Sequence, residues 1–254
     1  MTLVATVFRR RFLDWARYPA EAALSIAAFY VIFLVLFFGA KAFGGSKVAA
    51  GDTLSAIVVG YIVFMLTMQS YQQFGGQIMQ ESQAGTLEQL ALSPYGLTTV
   101  LLVDFAAQTI LMAIICGVVI VPIMATTGRW LHFDVISVTL LTLLTLAGVV
   151  GFGLIMGGLA MVFKRMQAVG GFIGIGFLPL VAAPVDRVPW LKLLPIAHGN
   201  LLLRHVLVNG RSAFDEPTEV LILAAVSAGY VLAGVLVFLV LDRRARERAL
   251  IGQY

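Results

Sequence analysis

Charge is scarce in this chain: 12% of its 254 residues are Asp, Glu, Lys or Arg, against about 25% in a soluble domain. A water-facing surface of ordinary composition is therefore excluded. Cysteine occurs once. Cys116 cannot close an internal disulfide, and within Met112-Ala113-Ile114-Ile115-Cys116-Gly117-Val118 it reads as a small buried hydrophobe. Lysine occurs at Lys41, Lys47, Lys164 and Lys192, and none of these follows a glycine. The glycine-rich phosphate loop that ends in Gly-Lys is thus missing, so if ATP drives this protein another chain binds it. The histidines His132, His198 and His205 lack metal-ligand spacing and an evident nucleophile partner, and read as satisfied loop residues.

What the chain has in abundance is apolar length, with 60% hydrophobic residues and a mean hydropathy of +0.97. A helix needs about 20 apolar residues to cross the hydrocarbon core. Six stretches qualify, with approximate limits Ala20–Gly39, Thr53–Phe74, Leu97–Thr126, Val135–Phe163, Gln167–Val185 and Val220–Leu241. The expectation is an all-α, polytopic membrane protein with six transmembrane helices, forming a single domain over residues 1–254.

Ahead of the first span, residues 1–19 hold Val4, Phe8, Phe12 and Trp15 at helical spacing, with Arg9, Arg10, Asp14 and Arg17 elsewhere on the wheel. This is the pattern of an amphipathic helix lying in the interface. Ala40-Lys41-Ala42 resembles a signal cleavage site, but the apolar run before it exceeds an h-region of about 7–15 residues. The net charge of +4 comes from arginines at the ends of apolar segments, which is a topology signal and no nucleic-acid footprint. The densest basic clusters, Arg9 to Arg11 and Arg243 to Arg248, fall on one side of a six-span arrangement, so both termini are expected in the cytoplasm.

Two segments do not span. Residues 77–95 lie on the inner side, and 186–218 form an outer loop carrying Pro189, Trp190, Pro195 and Pro217. In the inner segment Thr86 can cap a short helix, Gln89 can complete a capping box, and Ser93-Pro94 can end it, exposing Leu87, Leu90 and Ala91. Glu81 and Glu88 are its only charges, which points either to a basic protein partner or to a merely solvated loop. Glu219, near the outer face, stands apart from this segment.

The run from Glu81 to Pro94, with Gly85-Thr86-Leu87-Glu88-Gln89-Leu90 at its centre, resembles the cytoplasmic coupling segment of ABC type-2 exporter permeases. Val188-Pro189-Trp190-Leu191 and Leu194-Pro195, followed by Arg204, resemble that family's outer region before its last span, and the tail Arg243-Arg244-Ala245-Arg246-Glu247-Arg248 also fits. The resemblance implies a membrane subunit without enzymatic activity, with a short cytoplasmic coupling helix and an outer re-entrant or loop region. A second permease copy, identical or related, would complete the path through the membrane lipids. A separate ABC ATPase would hold the ATP and Mg, leaving no cofactor in this chain. Glu81, Gly85, Thr86, Leu87, Glu88, Leu90 and Pro94 would contact that ATPase in a prokaryotic cell membrane. The cargo would be hydrophobic or amphiphilic: a drug, a lipid or a lipid-linked glycan.

Path candidates come from the spans. Phe29, Phe33 and Phe37 form one stripe on the first, either core or lipid-facing if they do not line a path. The second carries Thr67, Gln69, Tyr71 and Gln72, and Asp104 enters the third with Gln108 one turn on. Gly153 and Gly157, like Gly170 and Gly174, have the spacing that lets helices approach closely, for packing within the subunit or for a dimer seam. Two other classes remain open on the residues: an intramembrane lipid-modifying enzyme using Asp104 or His198, and an ion-driven secondary transporter. The first wants converging acid, base or metal groups, and the second often shows two related halves.

Overall fold

The computed structural model describes residues 6–9, 12–13, 17, 19–43, 51–83, 97–128, 131–162, 172, 176–177, 180, 185 and 188–247, with the side chains of 21–22, 25, 40, 43, 51–54, 72–83, 97–98, 101–102, 105, 109, 160–162, 242 and 245–247 outside that description. Among the described residues there are helices and turns and no strand. In lipid a helix satisfies its own backbone, which is what so apolar a chain requires.

The main elements are α1 (Pro19–Phe43), α2 (Gly51–Gln83), α3 (Leu97–Thr127), α4 (Val135–Val162), α5 (Pro195–Leu207) and α6 (Pro217–Glu247). Windows long and apolar enough to cross a membrane lie in α3 (Ala106–Thr127), α4 (Val135–Leu159) and α6 (Pro217–Leu241). Shorter apolar windows, Ile26–Gly39 and Ser55–Tyr71, occupy α1 and α2. Of the expected fifth span only residues 172, 176–177, 180 and 185 are described, the first four being helical. At the N-terminus residues 6–9, 12–13 and 17 are helical, with Phe12 and Leu13 exposed.

Several boundaries follow from local chemistry. Proline opens α1, α5 and α6, where its missing N–H would have had no intrahelical partner. In the last turn of α3, the Thr126 hydroxyl donates to the Pro122 carbonyl at 2.8 Å and the Thr127 hydroxyl to the Ile123 carbonyl at 2.7 Å. The chain then turns at Gly128, whose φ of 65° suits a residue without Cβ. One boundary departs from expectation: α2 runs on through residues 77–83, which the sequence presents as the start of a non-spanning segment. Gly75 and Gly76 disfavour a helix by about 1 kcal/mol each, too little to stop one that continues into Gln77, Met79, Gln80 and Glu81.

The expected outer re-entrant or loop region, 186–218, holds among its described residues a 3-10 turn (Pro189–Leu193), the helix α5 and a second 3-10 turn (Ala213–Asp215). Its prolines are helix openers. The apolar residues between them bury α5 almost completely, leaving Arg204 and His205 half-buried.

Steric contacts fix the depth of α5. A Cβ on Gly199 would lie 1.9 Å from the Thr145 hydroxyl oxygen, and one on Gly148 would lie 2.4 Å from the Pro195 ring. Thr145 and Gly148 are ten and thirteen residues beyond Val135, about 15–20 Å along α4. At its other end α5 reaches the α3–α4 turn, where the His132 N–H donates to the Leu207 carbonyl at 2.9 Å. Thus α5 begins roughly halfway along α4 and rises to the end of the bundle that carries the 128–134 and 208–216 turns, here called the distal end.

The helices α4 and α6 pack without intervening side chains. A Cβ on Gly151 would sit 2.2 Å from the Tyr230 carbonyl oxygen, and one on Gly234 would sit 2.5 Å from the Gly151 carbonyl oxygen. Small residues thus serve packing within the subunit, as one of the two sequence alternatives holds, but through Gly148, Gly151 and Gly234. Gly153 and Gly157 are also buried, whereas Gly170 and Gly174 lie outside the described residues. Phe152 stacks on Tyr230 at 4.9 Å beside the glycine contact.

Candidate functional site

The residue before α6 and its first turn hold two carboxylates that tie α5 to the last span. Glu219 accepts from Lys192 Nζ at 2.5 Å through one oxygen and pairs with His198 Nε2 at 2.9 Å through the other. Glu216 accepts from Arg211 Nη1 at 2.7 Å and pairs with His205 Nδ1 at 3.0 Å. His198 and His205 are seven residues apart, two helical turns, so they share the face of α5 that looks at α6. The His198 ring is fully buried. Its Nε2 is held by Glu219, and the Lys192 backbone also acts on the ring. Partial burial works against ionisation of Glu216, but the bonds from His205 and Arg211 prevail and hold its carboxyl below the usual range.

A third polar junction joins the two distal turns. The Ser137 hydroxyl donates to Asp134 and receives the Ala213 N–H at 2.9 Å, and the Ser212 hydroxyl donates to Asp134 at 3.3 Å. Ser212 in turn caps the 3-10 turn, its hydroxyl receiving the Phe214 N–H and its own N–H bonding Asp215. The Ser137 hydroxyl, with further help from backbone N–H groups and Ser212, holds the Asp134 carboxyl below its usual range. Together these bonds make the distal end a clasped cap.

The expected path residues are spread over α1, α2 and α3. Phe33 and Phe37 are buried, Phe33 lying 5.2 Å from the Tyr61 ring, while Phe29 is half-buried and its carbonyl accepts the Tyr61 hydroxyl at 2.6 Å. Thr67, Ser70 and Tyr71 are buried on one face of α2, and none of their hydroxyls has a hydrogen-bond partner among the described residues. The Tyr71 ring meets Phe177 edge-on at 5.1 Å, and Phe177 meets Phe152 of α4. Gln69 lines a small void with Tyr61, Met65 and Cys116. Asp104 is buried, with Gln108 half-buried one turn on. The side chain of Gln72 lies outside the described residues.

Of the coupling candidates, Glu81 belongs to the helical backbone of α2, without a described side chain. Gly85, Thr86, Leu87, Glu88, Leu90 and Pro94, with the short helix expected there, lie outside the described residues.

Sequence reasoning missed the Lys192–Glu219–His198 junction. The apolar run placed the last span from Val220, so Glu219 fell just outside it; the structure starts the helix at Pro217 and brings Glu219 into its first turn. Glu219 is therefore no neutral reference position, and His198 is a buried helical residue instead of a loop one. Among the described residues no group of His, Cys, Asp and Glu could hold a metal.

No curated protein and no solved structure matches the chain. A family does, and its match covers residues 2–208, from the N-terminal helix through every span up to α5 and stopping short of α6. A multi-pass helical membrane protein without a phosphate loop of its own is what that family's membrane domain is. The chain belongs to the ABC-2 type transporter family, as a permease subunit.

Proposed function

We propose that the protein is the membrane half of an exporter, moving a hydrophobic or amphiphilic molecule out of the cytoplasm by alternating access. Two copies, or one copy and a related permease, would enclose the path, and two separate ATPase subunits would dock on the cytoplasmic side. The family match over residues 2–208 carries this reading. The missing Gly-Lys phosphate loop supports it, because a transporter of this kind must then borrow its ATP hydrolysis.

In this reading the coupling face is the end of α2 and the segment after it, with Glu81, Gly85, Thr86, Leu87, Glu88, Leu90 and Pro94. The length of α2 supports this: its 33 residues reach about 50 Å at 1.5 Å per residue. That exceeds the roughly 30 Å hydrocarbon core, so the helix can carry Glu81 clear of the bilayer. Both termini would be cytoplasmic in a prokaryotic cell membrane, with the distal cap outside. The buried hydroxyls of Thr67, Ser70 and Tyr71, without partners among the described residues, make their face of α2 the favoured border of the path.

The test is assembly. Purified alone, the chain should not hydrolyse ATP; with its ATPase it should form a complex of two permease and two ATPase subunits with cargo-stimulated hydrolysis. Robust hydrolysis by the isolated chain, free of contaminating ATPase, would sink the reading.

A further inference from the structure

A hydroxyl inside an apolar helix can bond back to a carbonyl of its own helix, and several in this chain do. Thr126 donates to the Pro122 carbonyl at 2.8 Å, and Thr127 and Thr145 donate to the Ile123 and Leu141 carbonyls, each at 2.7 Å. Thr67 and Ser70 of α2 do not, although Val63 and Leu66, four residues back, are described. Together with Tyr71 they are only 0–3% exposed, and none of the three hydroxyls has a partner among the described residues. Spacings of three and four set them on one face of the helix.

A buried hydroxyl in this state has given up its bonds to water and gained none, whereas buried polar groups are paired as a rule. Apolar side chains would serve the packing as well: at buried positions a turn or two earlier the same helix uses Val59, Val63 and Met65. Tyr71 shows the mismatch within one residue. Its ring is received edge-on by Phe177 at 5.1 Å, while its hydroxyl is left over. Position supplies the missing partner. Tyr71 closes the apolar window Ser55–Tyr71, and the chain continues through Gln72, Gln73, Gln77 and Gln80 to Glu81. The three hydroxyls therefore stand at the end of the window nearest to water on the Glu81 side, where polar groups inside a span mark a water-filled cavity.

We infer that the Thr67–Ser70–Tyr71 face of α2 opens to water in a second conformation of the subunit, and that the structure holds this vestibule shut. Water satisfies the hydroxyls in the open conformation, and their burial penalises the shut one, so the two stay close in free energy. This deepens, and rests on, the reading of that face as a border of the transport path.

Two readouts on the full chain in nanodiscs test it. Tyr71→Phe, Ser70→Ala and Thr67→Val each remove an unpartnered oxygen, and each should raise the melting temperature by about 2–4 °C. The control is Tyr61→Phe. It is the same substitution on the same helix, but it removes a hydroxyl bonded to the Phe29 carbonyl at 2.6 Å, and should lower the melting temperature. The second readout is accessibility, in a chain whose single cysteine is replaced by Cys116→Ala. Ser70→Cys should react with the water-soluble methanethiosulfonate ethylammonium about tenfold faster than Val58→Cys, which is equally buried near the other end of the same window. Adding Tyr71→Phe should slow the reaction at position 70, because it stabilises the shut conformation alone. Thr67→Cys takes the place of Ser70→Cys if that variant does not fold. A lower melting temperature in Tyr71→Phe overturns the inference, since that hydroxyl then has a partner, and so does equal reactivity at positions 70 and 58. Raised melting temperature and faster reaction, with cargo-stimulated hydrolysis unchanged in Tyr71→Phe, would uphold the opening and take the transport path away from it.

Discussion

His198 and Glu219 meet at 2.9 Å across the seam between α5 and α6, and the carboxylate that receives the buried ring also receives Lys192. One side chain therefore fixes a half-length helix, the turn before it and the last span to each other. Removing it leaves a buried imidazole and a half-buried ammonium without their acceptor. Hydrogen bonds to charged groups contribute about 1.5–3 kcal/mol each, and two are lost. Glu219→Gln should lower the melting temperature in detergent clearly, and Glu219→Lys more, since it sets two ammonium groups against one another. A melting temperature unchanged in Glu219→Lys would remove the junction from the account of stability.

The glycine seam makes a sharper prediction. At Gly151 and Gly234 the atoms that would meet a Cβ belong to backbone, which cannot rotate away as a side chain can. Gly234→Ala and Gly151→Ala should each destabilise by roughly 1–3 kcal/mol or more, the usual range for overpacking. Gly117→Ala and Gly229→Ala, facing open space, should be near neutral. Equal melting temperatures for all four variants would show that α4 and α6 do not pack this closely.

The distal cap should respond to acid. Its Glu216 carboxyl is held below the usual 4.5, so it binds a proton less readily when folded than when unfolded. The stability this brings is complete above about pH 4.5 and is lost as pH falls through the folded value. Melting temperatures between about pH 3 and pH 7 should decline on the acid side, and Glu216→Gln should flatten part of that decline. A Glu216→Gln profile parallel to wild type would leave the clasp without a role in it.

How much of this was legible in the sequence depends on which force made each element. Apolar run length located α3 and α4, whose expected limits differ from the observed ones by one residue each. Run length could not place α5, because Pro189 and Pro195 signal a loop and a helix start equally well. The arbiter is tertiary: Gly199 fits against Thr145 and Gly148 against Pro195, and spacing in the chain does not reveal that. The same holds for the site. Thr67 and Tyr71 stood out as polar residues inside a span, whereas Glu219 looked peripheral until α5 brought His198 to it.

The last prediction concerns coupling to the ATPase. If Glu81 and Glu88 face basic residues of that partner, reversing either to Lys should weaken docking. Like charges across an interface repel, and the partner's cations lose their counter-charges. Neither residue lies in one of the expected apolar spans, so insertion and expression should survive while cargo-stimulated hydrolysis falls. Gly85→Val should act by another route, if Gly85 supplies a backbone conformation that a β-branched residue adopts only at a cost. The control must be a charge outside every junction described above. Glu219 is unsuitable, being bonded to Lys192 and His198, but Lys41, exposed in the last turn of α1, is suitable. Co-purification of the ATPase and stimulated hydrolysis should fall in Glu81→Lys, Glu88→Lys and Gly85→Val, and hold in Lys41→Glu. If all four match wild type, the segment from Glu81 to Pro94 is a solvated stretch and the ATPase docks elsewhere. A loss confined to Gly85→Val would keep the shape of the segment in the coupling and take its charges out.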